Sequence, residues 1–212
     1  MDPVTAVITG LGLAGAAGLN AYVPLLVVGL LGRFGVLHLS APYDSLSDTP
    51  VLIVLGVLFA IEFLADKVPG VDSVNDVVQT VVRPAAGAVL MAGSLGIGTD
   101  LPPWVGVVAG IITAGGIHAT KAAARPVVNV STAGVGGPVV SLVEDGVSLV
   151  ASLLAVLAPL LLVVFVGALV WWGRRTWLRR REARAAARGA ERGAVEQGQA
   201  GPEQVGPGSV SP

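Results

Sequence analysis

The stretch that decides the reading is residues 62–84, EFLADKVPGVDSVNDVVQTVVRP. It holds Glu62, Asp66, Lys67, Asp72, Asp76 and Arg83 between long apolar runs. Glu62 follows the uninterrupted apolar and glycine run Val51–Ile61, which puts it within or at the edge of a bilayer. A carboxylate there is costly unless paired or wetted, and by default it marks a functional site. From Asp72 onward, helical spacing lines up Asp72, Asp76, Gln79 and Arg83 on one stripe, with Val74, Val77, Val78 and Val81 opposite. That pattern predicts an amphipathic helix in the membrane interface.

Composition carries the class. Of 212 residues 53% are hydrophobic and only 13% are charged, about half the ~25% typical of soluble domains. Mean hydropathy is +0.78. The chain therefore reads as an all-α polytopic transmembrane bundle of about six spans. Gly, Ala and Val dominate, as helices in close contact require. The absence of cysteine excludes thiolate metal sites, disulfides and cysteine nucleophiles. Asp2-Pro3 reads as a helix cap, and no basic residue precedes Arg33, so the first apolar run is expected to stay in place as a span.

The expected spans run in order from there. Residues 3–32 carry no charge but are interrupted by Asn20, Tyr22 and Pro24. They are read as one crossing with a break; the other reading is a hairpin, which would move the N-terminus to the opposite side. Further spans are expected over Thr49–Ala65, Pro84–Thr99, Trp104–Ala119, Arg125–Val143 and Gly146–Gly173, with breaks at Val68-Pro69-Gly70 and at Glu144-Asp145-Gly146. Gly106 and Gly110 have the GxxxG spacing that allows a homodimer.

Residues 1–173 thus form the membrane domain and 174–212 a tail. Eight of the thirteen basic residues lie between Arg174 and Arg192, suited to anionic lipid headgroups, and the remainder has the composition of a disordered segment. The positive-inside rule puts that tail in the cytoplasm, together with Lys67, Arg83, Lys121, Arg125 and the N-terminus, in a multi-pass cell-membrane protein. Asp44, Asp48, Asp100, Glu144 and Asp145 then fall on the far side. The segments 12–21 and 110–119 match at Gly12/Gly110, Ala16/Ala114, Gly18/Gly116 and Ala21/Ala119. With three spans per half, such a duplication would be an inverted repeat, an arrangement common in transporters.

The string Glu62-x3-Asp66-Lys67-x-Pro69-x2-Asp72-x3-Asp76-x3-Thr80-x2-Arg83-Pro84 resembles the uncharacterised bacterial membrane family known as domain of unknown function 4126. The resemblance continues in Gly18-Leu-Asn-Ala-Tyr22, His118-x2-Lys121-x3-Arg125 and Ser141-x2-Glu144-Asp145, and spans roughly Leu11–Leu149. It implies an integral membrane protein and brings no activity with it.

The candidate intramembrane polar site is therefore Asn20, Glu62, Asp66, Lys67, Asp72, Asp76, Arg83, His118, Lys121, Arg125, Glu144 and Asp145. Glu62 and Asp66, one turn apart, suit a proton or cation; the plainer reading is an ion-pair network with Arg83, Lys121 or Arg125. His118, Lys121 and Arg125 suit a phosphate or carboxylate, or anchor the chain at the cytoplasmic face. No spacing specifies a metal, a cofactor or nucleic acid, and the balance leans away from an enzyme. A transporter or channel-like protein comes first, a lipid-phosphate translocase or enzyme and a structural assembly protein behind it.

Overall fold

The structure is a computed structural model that describes residues 1–67, 71–132, 136–159, 161–162 and 164–179. The described residues are helical apart from turns and loops. Among the described residues the α-helices of the first part of the chain are α1 (Pro3–Leu19), α2 (Tyr22–Arg33), α3 (Thr49–Ala65), α4 (Val71–Gly98), α5 (Pro103–Ser131) and α6 (Gly136–Leu157), with a 3-10 turn at Tyr43–Ser47. Among the described residues three stretches are long and apolar enough to cross a membrane: Val74–Gly98, Pro103–Val128 and Gly136–Leu157; α1, α2 and α3 are shorter apolar helices. Residues 1–165 form one compact unit. In the second unit the described residues, 166–179, are helical, with exposed Trp171 and Trp172 and the Arg175 guanidinium 5.0 Å from the Trp171 ring.

Local chemistry sets the helix starts. Asp2 caps α1 by accepting from the Thr5 amide at 3.0 Å, and prolines occupy the first turn of α1, α3 and α5, where no intrahelical N–H is needed. Pro84 and Pro126 lie inside helices. The amphipathic segment 72–82 is thus not a separate helix. It continues through Pro84 into the next span as α4, because a proline removes one amide bond and bends a helix without ending it when neighbours hold both halves. Likewise α5 runs through Arg125-Pro126, and Glu144-Asp145-Gly146 sits inside α6 instead of forming a loop. The expected break at 68–70 and the tail beyond 179 lie outside the described residues.

The α4–α5 pair is an antiparallel hairpin with touching backbones. A Cβ on Gly110 would stand 2.2 Å from the Gly87 oxygen, and one on Gly106 would stand 2.5 Å from the Ala92 Cα. The GxxxG pair therefore packs α5 against α4 within the chain and lends no support to a dimer. On its other side α1 lies against α4, α5 and α6, with Gly18 fitted against the Ala114 oxygen and Ile117. Hydroxyls stitch this contact: Thr9 donates to the Ala155 oxygen (2.8 Å) and Ser148 to the Ala16 oxygen (3.0 Å).

The first apolar run is the hairpin, not one broken crossing. Gly98, at the end of α4, abuts Met1, Asp2 and Ala6. Farther along the chain Gly29 abuts Leu46 and Leu52, and Tyr43 packs on Gly93, near that same end of α4. So α1 descends, the chain turns at Asn20-Ala21, and α2 climbs back. The N-terminus thus shares an end of the bundle with residues 34–48 and 99–102, opposite the end where α3 finishes and α4 begins. Pro24 does not kink one long helix; it lies in the first turn of the second. Because α1 and α5 both run antiparallel to α4, segments 12–21 and 110–119 point the same way. Their likeness therefore does not describe an inverted repeat.

Candidate functional site

The turn at Asn20 is where the polar chemistry gathers. Counting residues at ~1.5 Å each from the N-terminal end of the bundle, Asn20, Glu62, Arg83 and His118 all lie about 20–25 Å down their helices, inside a hydrocarbon thickness of ~30 Å. Arg83 and Glu62 are 0% and 2% exposed.

Asn20 ends one helix and begins another. Its amide donates to the Ala16 oxygen, closing α1. Its side-chain oxygen accepts from the amides of Tyr22 (3.0 Å) and Val23 (3.1 Å), capping α2. Its side-chain nitrogen donates to Asp145 Oδ1 on α6 at 2.9 Å. Next to it the Leu19 oxygen, one of the carbonyls a helix C-terminus leaves open, accepts from Lys121 Nζ at 3.2 Å. Lys121 also pairs with Glu144 at 2.7 Å. A positive group at the negative end of α1 is the favourable sense of the helix dipole.

A second group joins α3, α4 and α5. Arg83 Nη2 donates to Glu62 Oε1 at 2.8 Å, and Arg83 Nη1 lies 3.1 Å from His118 Nδ1. His118 Nε2 lies 3.1 Å from the Thr80 hydroxyl, which itself donates to the Asp76 main-chain oxygen at 2.9 Å. Arginine only donates, so Nδ1 accepts, and the Thr80 proton is already in use, so Nε2 carries the hydrogen. His118 is therefore neutral, in the Nε2–H form. Lys121, its helical neighbour, turns to Glu144; the two do not form a single anion clamp.

The third group centres on Arg125. It donates to Asp76 (2.7 Å), to Ser141 Oγ (2.7 Å) and to Asp66 (3.4 Å), and Asn75 donates to Asp66 at 3.0 Å. Lys67 stands apart: its ammonium donates to the Phe63 oxygen and sits 2.9 Å from the centroid of the Phe63 ring. The side chain of Asp72 lies outside the described residues. The other candidates except Lys67 fall into these three groups, which form one polar layer about two helical turns deep, with Asp76 and Arg125 about 10 Å beyond Arg83 and His118. The pairing of Lys121 with Glu144 corrects the expectation that Glu144 and Asp145 lie on the far side from the basic residues. Gln79, Asn75, Thr80, Ser141 and the Leu19 carbonyl belong to the layer as well. The i, i+3/i+4 run Asn75, Asp76, Gln79, Thr80, Arg83 was the signal for three of them.

Among the described residues, Glu62 Oε2, Asp76 Oδ1, Gln79 Oε1 and Arg83 Nε are buried without a hydrogen-bond partner. Orphans of this kind are rare, and each needs an explanation such as a bound water, proton or ion. The carboxylates are separated by the cations that bind them, so they do not form an oxygen cage for a hard divalent ion.

The family model described as a domain of unknown function, DUF4126, matches residues 7–179. The chain belongs to that family. The DUF4126 match reaches past Leu149 through the described part of the last helix, farther than the motifs alone suggest. It encloses every residue of the buried layer. No curated protein and no solved structure matches the chain. The described residues of this DUF4126 chain are helical, and its apolar helices make it a membrane protein.

Proposed function

We propose that this DUF4126 protein is a small membrane transporter or channel-like protein whose buried layer handles a proton or a small cation. One observation carries the reading. Five carboxylates (Glu62, Asp66, Asp76, Glu144, Asp145) share three paired cations (Arg83, Lys121, Arg125) at the tip of a broken helix pair. Among the described side chains, counting Lys67 still leaves one negative charge unmatched. Isolated charge in an apolar interior is strongly unfavourable, so the layer is expected to take up a proton or another cation. Helix breaks next to buried charge are also how several transporters build their sites near mid-membrane.

The lipid-phosphate reading is less favoured. Arg83, Lys121 and Arg125 each stand 2.7–2.8 Å from a carboxylate, which leaves an incoming phosphate to compete with a resident partner. The positive-inside rule supports an orientation with the Lys67–Arg125 end in the cytoplasm. The N-terminus is then outside.

The test is flux through proteoliposomes holding the full chain, read with a pH-sensitive dye and with cation-selective dyes under an imposed gradient. Flux above that of protein-free vesicles, reduced in Asp66→Asn and Glu62→Gln variants that still elute as folded protein, is the expected result. Wild-type vesicles no leakier than empty ones under every gradient would end the transport reading in favour of a structural one.

A further inference from the structure

Asp145 is the one carboxylate of the layer that no cation reaches within ion-pair distance among the described residues. Its oxygen has the Asn20 side chain at 2.9 Å. Lys121, from α5, is held by Glu144 at 2.7 Å, and Lys67, at the end of α3, is held by Phe63. Both ammonium groups act on Asp145 only from beyond ion-pair distance, and Asp66 sets a negative charge against them. Asp145 also borders a groove of about 360 Å3 between α2, α3 and α6, whose other walls include Val23, Leu26, Phe59, Leu142 and Leu149. Asp145 is the one charged residue on its border, and nearly all of the lining surface is apolar.

We propose that this groove binds a lipophilic organic cation, with its apolar body against α2, α3 and α6 and its positive charge beside Asp145. This names a substrate class for the cation-handling function proposed above and rests on that reading. Three physical features select the ligand. The volume falls within the ~300–1,000 Å3 usual for small-molecule sites. Aliphatic and aromatic walls reward apolar surface at roughly 25 cal/mol per Å2 removed from water. The unmatched carboxylate favours a cation and repels an anionic headgroup, while a neutral acyl chain would fill the groove and leave the charge uncompensated. Phe59 on the wall adds a ring face that a diffuse cation can approach.

The probe is tetraphenylphosphonium, titrated calorimetrically into the full-length protein in lipid nanodiscs, with empty discs as the blank. Binding above that blank is expected, weakened about tenfold or more in Asp145→Asn, a loss of the size that removing one member of a desolvated charge pair produces. Asn can still accept from Asn20, so that variant keeps the local hydrogen bond. Leu149→Trp, which fills the groove and leaves Asp145 in place, should weaken binding too. Lowering the pH should compete with the probe in the wild type and not in Asp145→Asn. Binding equal to the blank, or binding that neither variant changes, overturns the proposal. The proton-flux assay is separate: flux without tetraphenylphosphonium binding sinks only the groove, whereas Asp145-dependent binding without any flux sinks transport and leaves the groove standing.

Discussion

Lys121 touches the Leu19 main-chain oxygen at 3.2 Å and the Glu144 carboxylate at 2.7 Å. A single ammonium therefore ties the end of α1 to α6. Lys121→Met removes both contacts and strands Glu144 in the bundle. Breaking one side of a buried pair typically costs about 3–5 kcal/mol, so the variant should melt well below the wild type in detergent. Adding Glu144→Leu should recover most of that loss. If the double variant melts no higher than the single one, the two side chains are not coupled in the way described.

The Glu62–Arg83 pair is the more deeply buried of the two. Glu62→Gln leaves a guanidinium without its counter-charge, and Arg83→Met leaves a carboxylate; each should destabilise by about 3 kcal/mol or more. Combining Glu62→Leu with Arg83→Met should bring stability close to the wild type while abolishing flux. A double variant that keeps wild-type flux would remove this pair from the transport argument.

His118 offers a spectroscopic check. Its contacts require a bare Nδ1 facing Arg83 and a hydrogen on Nε2 facing Thr80. Long-range proton–nitrogen correlation on 15N-histidine protein at neutral pH should show one protonated nitrogen, Nε2. His118→Asn, which can still offer an acceptor and a donor, should be milder than His118→Leu. Observation of the Nδ1–H form would contradict the geometry.

Glycines 110 and 56 should respond in opposite directions to the same change. At Gly110 a methyl would meet the Gly87 backbone, so Gly110→Ala should destabilise by about 1–3 kcal/mol. At Gly56 a methyl has open space, so Gly56→Ala should be neutral or stabilise by up to about 1 kcal/mol through helix propensity. Thermal melts of the two variants, measured side by side, decide this.

At the other end, Asp2 lies outside the apolar helices. Hydrogen bonds from the Thr5 hydroxyl and amide hold its carboxyl below the usual 3.8. A lowered folded value means that its stabilisation of the first turn is present above the unfolded value and fades as pH falls through the folded one. Carbon-13 titration of the Asp2 carboxyl should give a midpoint below 3.8, and Thr5→Ala should raise it.

Much of this layer was legible beforehand, because charge in an apolar chain has few places to go. Glu62, Asp66, Arg83, His118, Lys121 and Arg125 stand out by type alone, and their opposite signs point to Arg83 with Glu62 and Arg125 with Asp66, though not to Lys121 with Glu144. The span boundaries were harder. Pro84, Pro126 and the Glu144-Asp145-Gly146 triplet look like breaks on a local view, yet each lies inside a helix, and Lys121 and Asn20 meet the two carboxylates there. The hairpin turned on Asn20, whose side chain can stop one helix and start the next; nothing local distinguishes that from a kink at Pro24. Gln79 on the polar stripe and Ser141 in its motif were visible, but an uncharged polar side chain does not announce its partner.

α3 contrasts with the rest. Where α4 and α5 meet backbone to backbone, α3 buries only Leu55 and Glu62 fully. The contact between Glu62 and Arg83 is one of two polar ties that hold it, the other running from Asp66 at its C-terminal end to Asn75 and Arg125. Detaching α3 means opening both ties and a narrow apolar seam, whereas separating α4 from α5 would open a backbone-to-backbone joint. Neutralising Glu62 would therefore loosen a whole helix, not a single side chain.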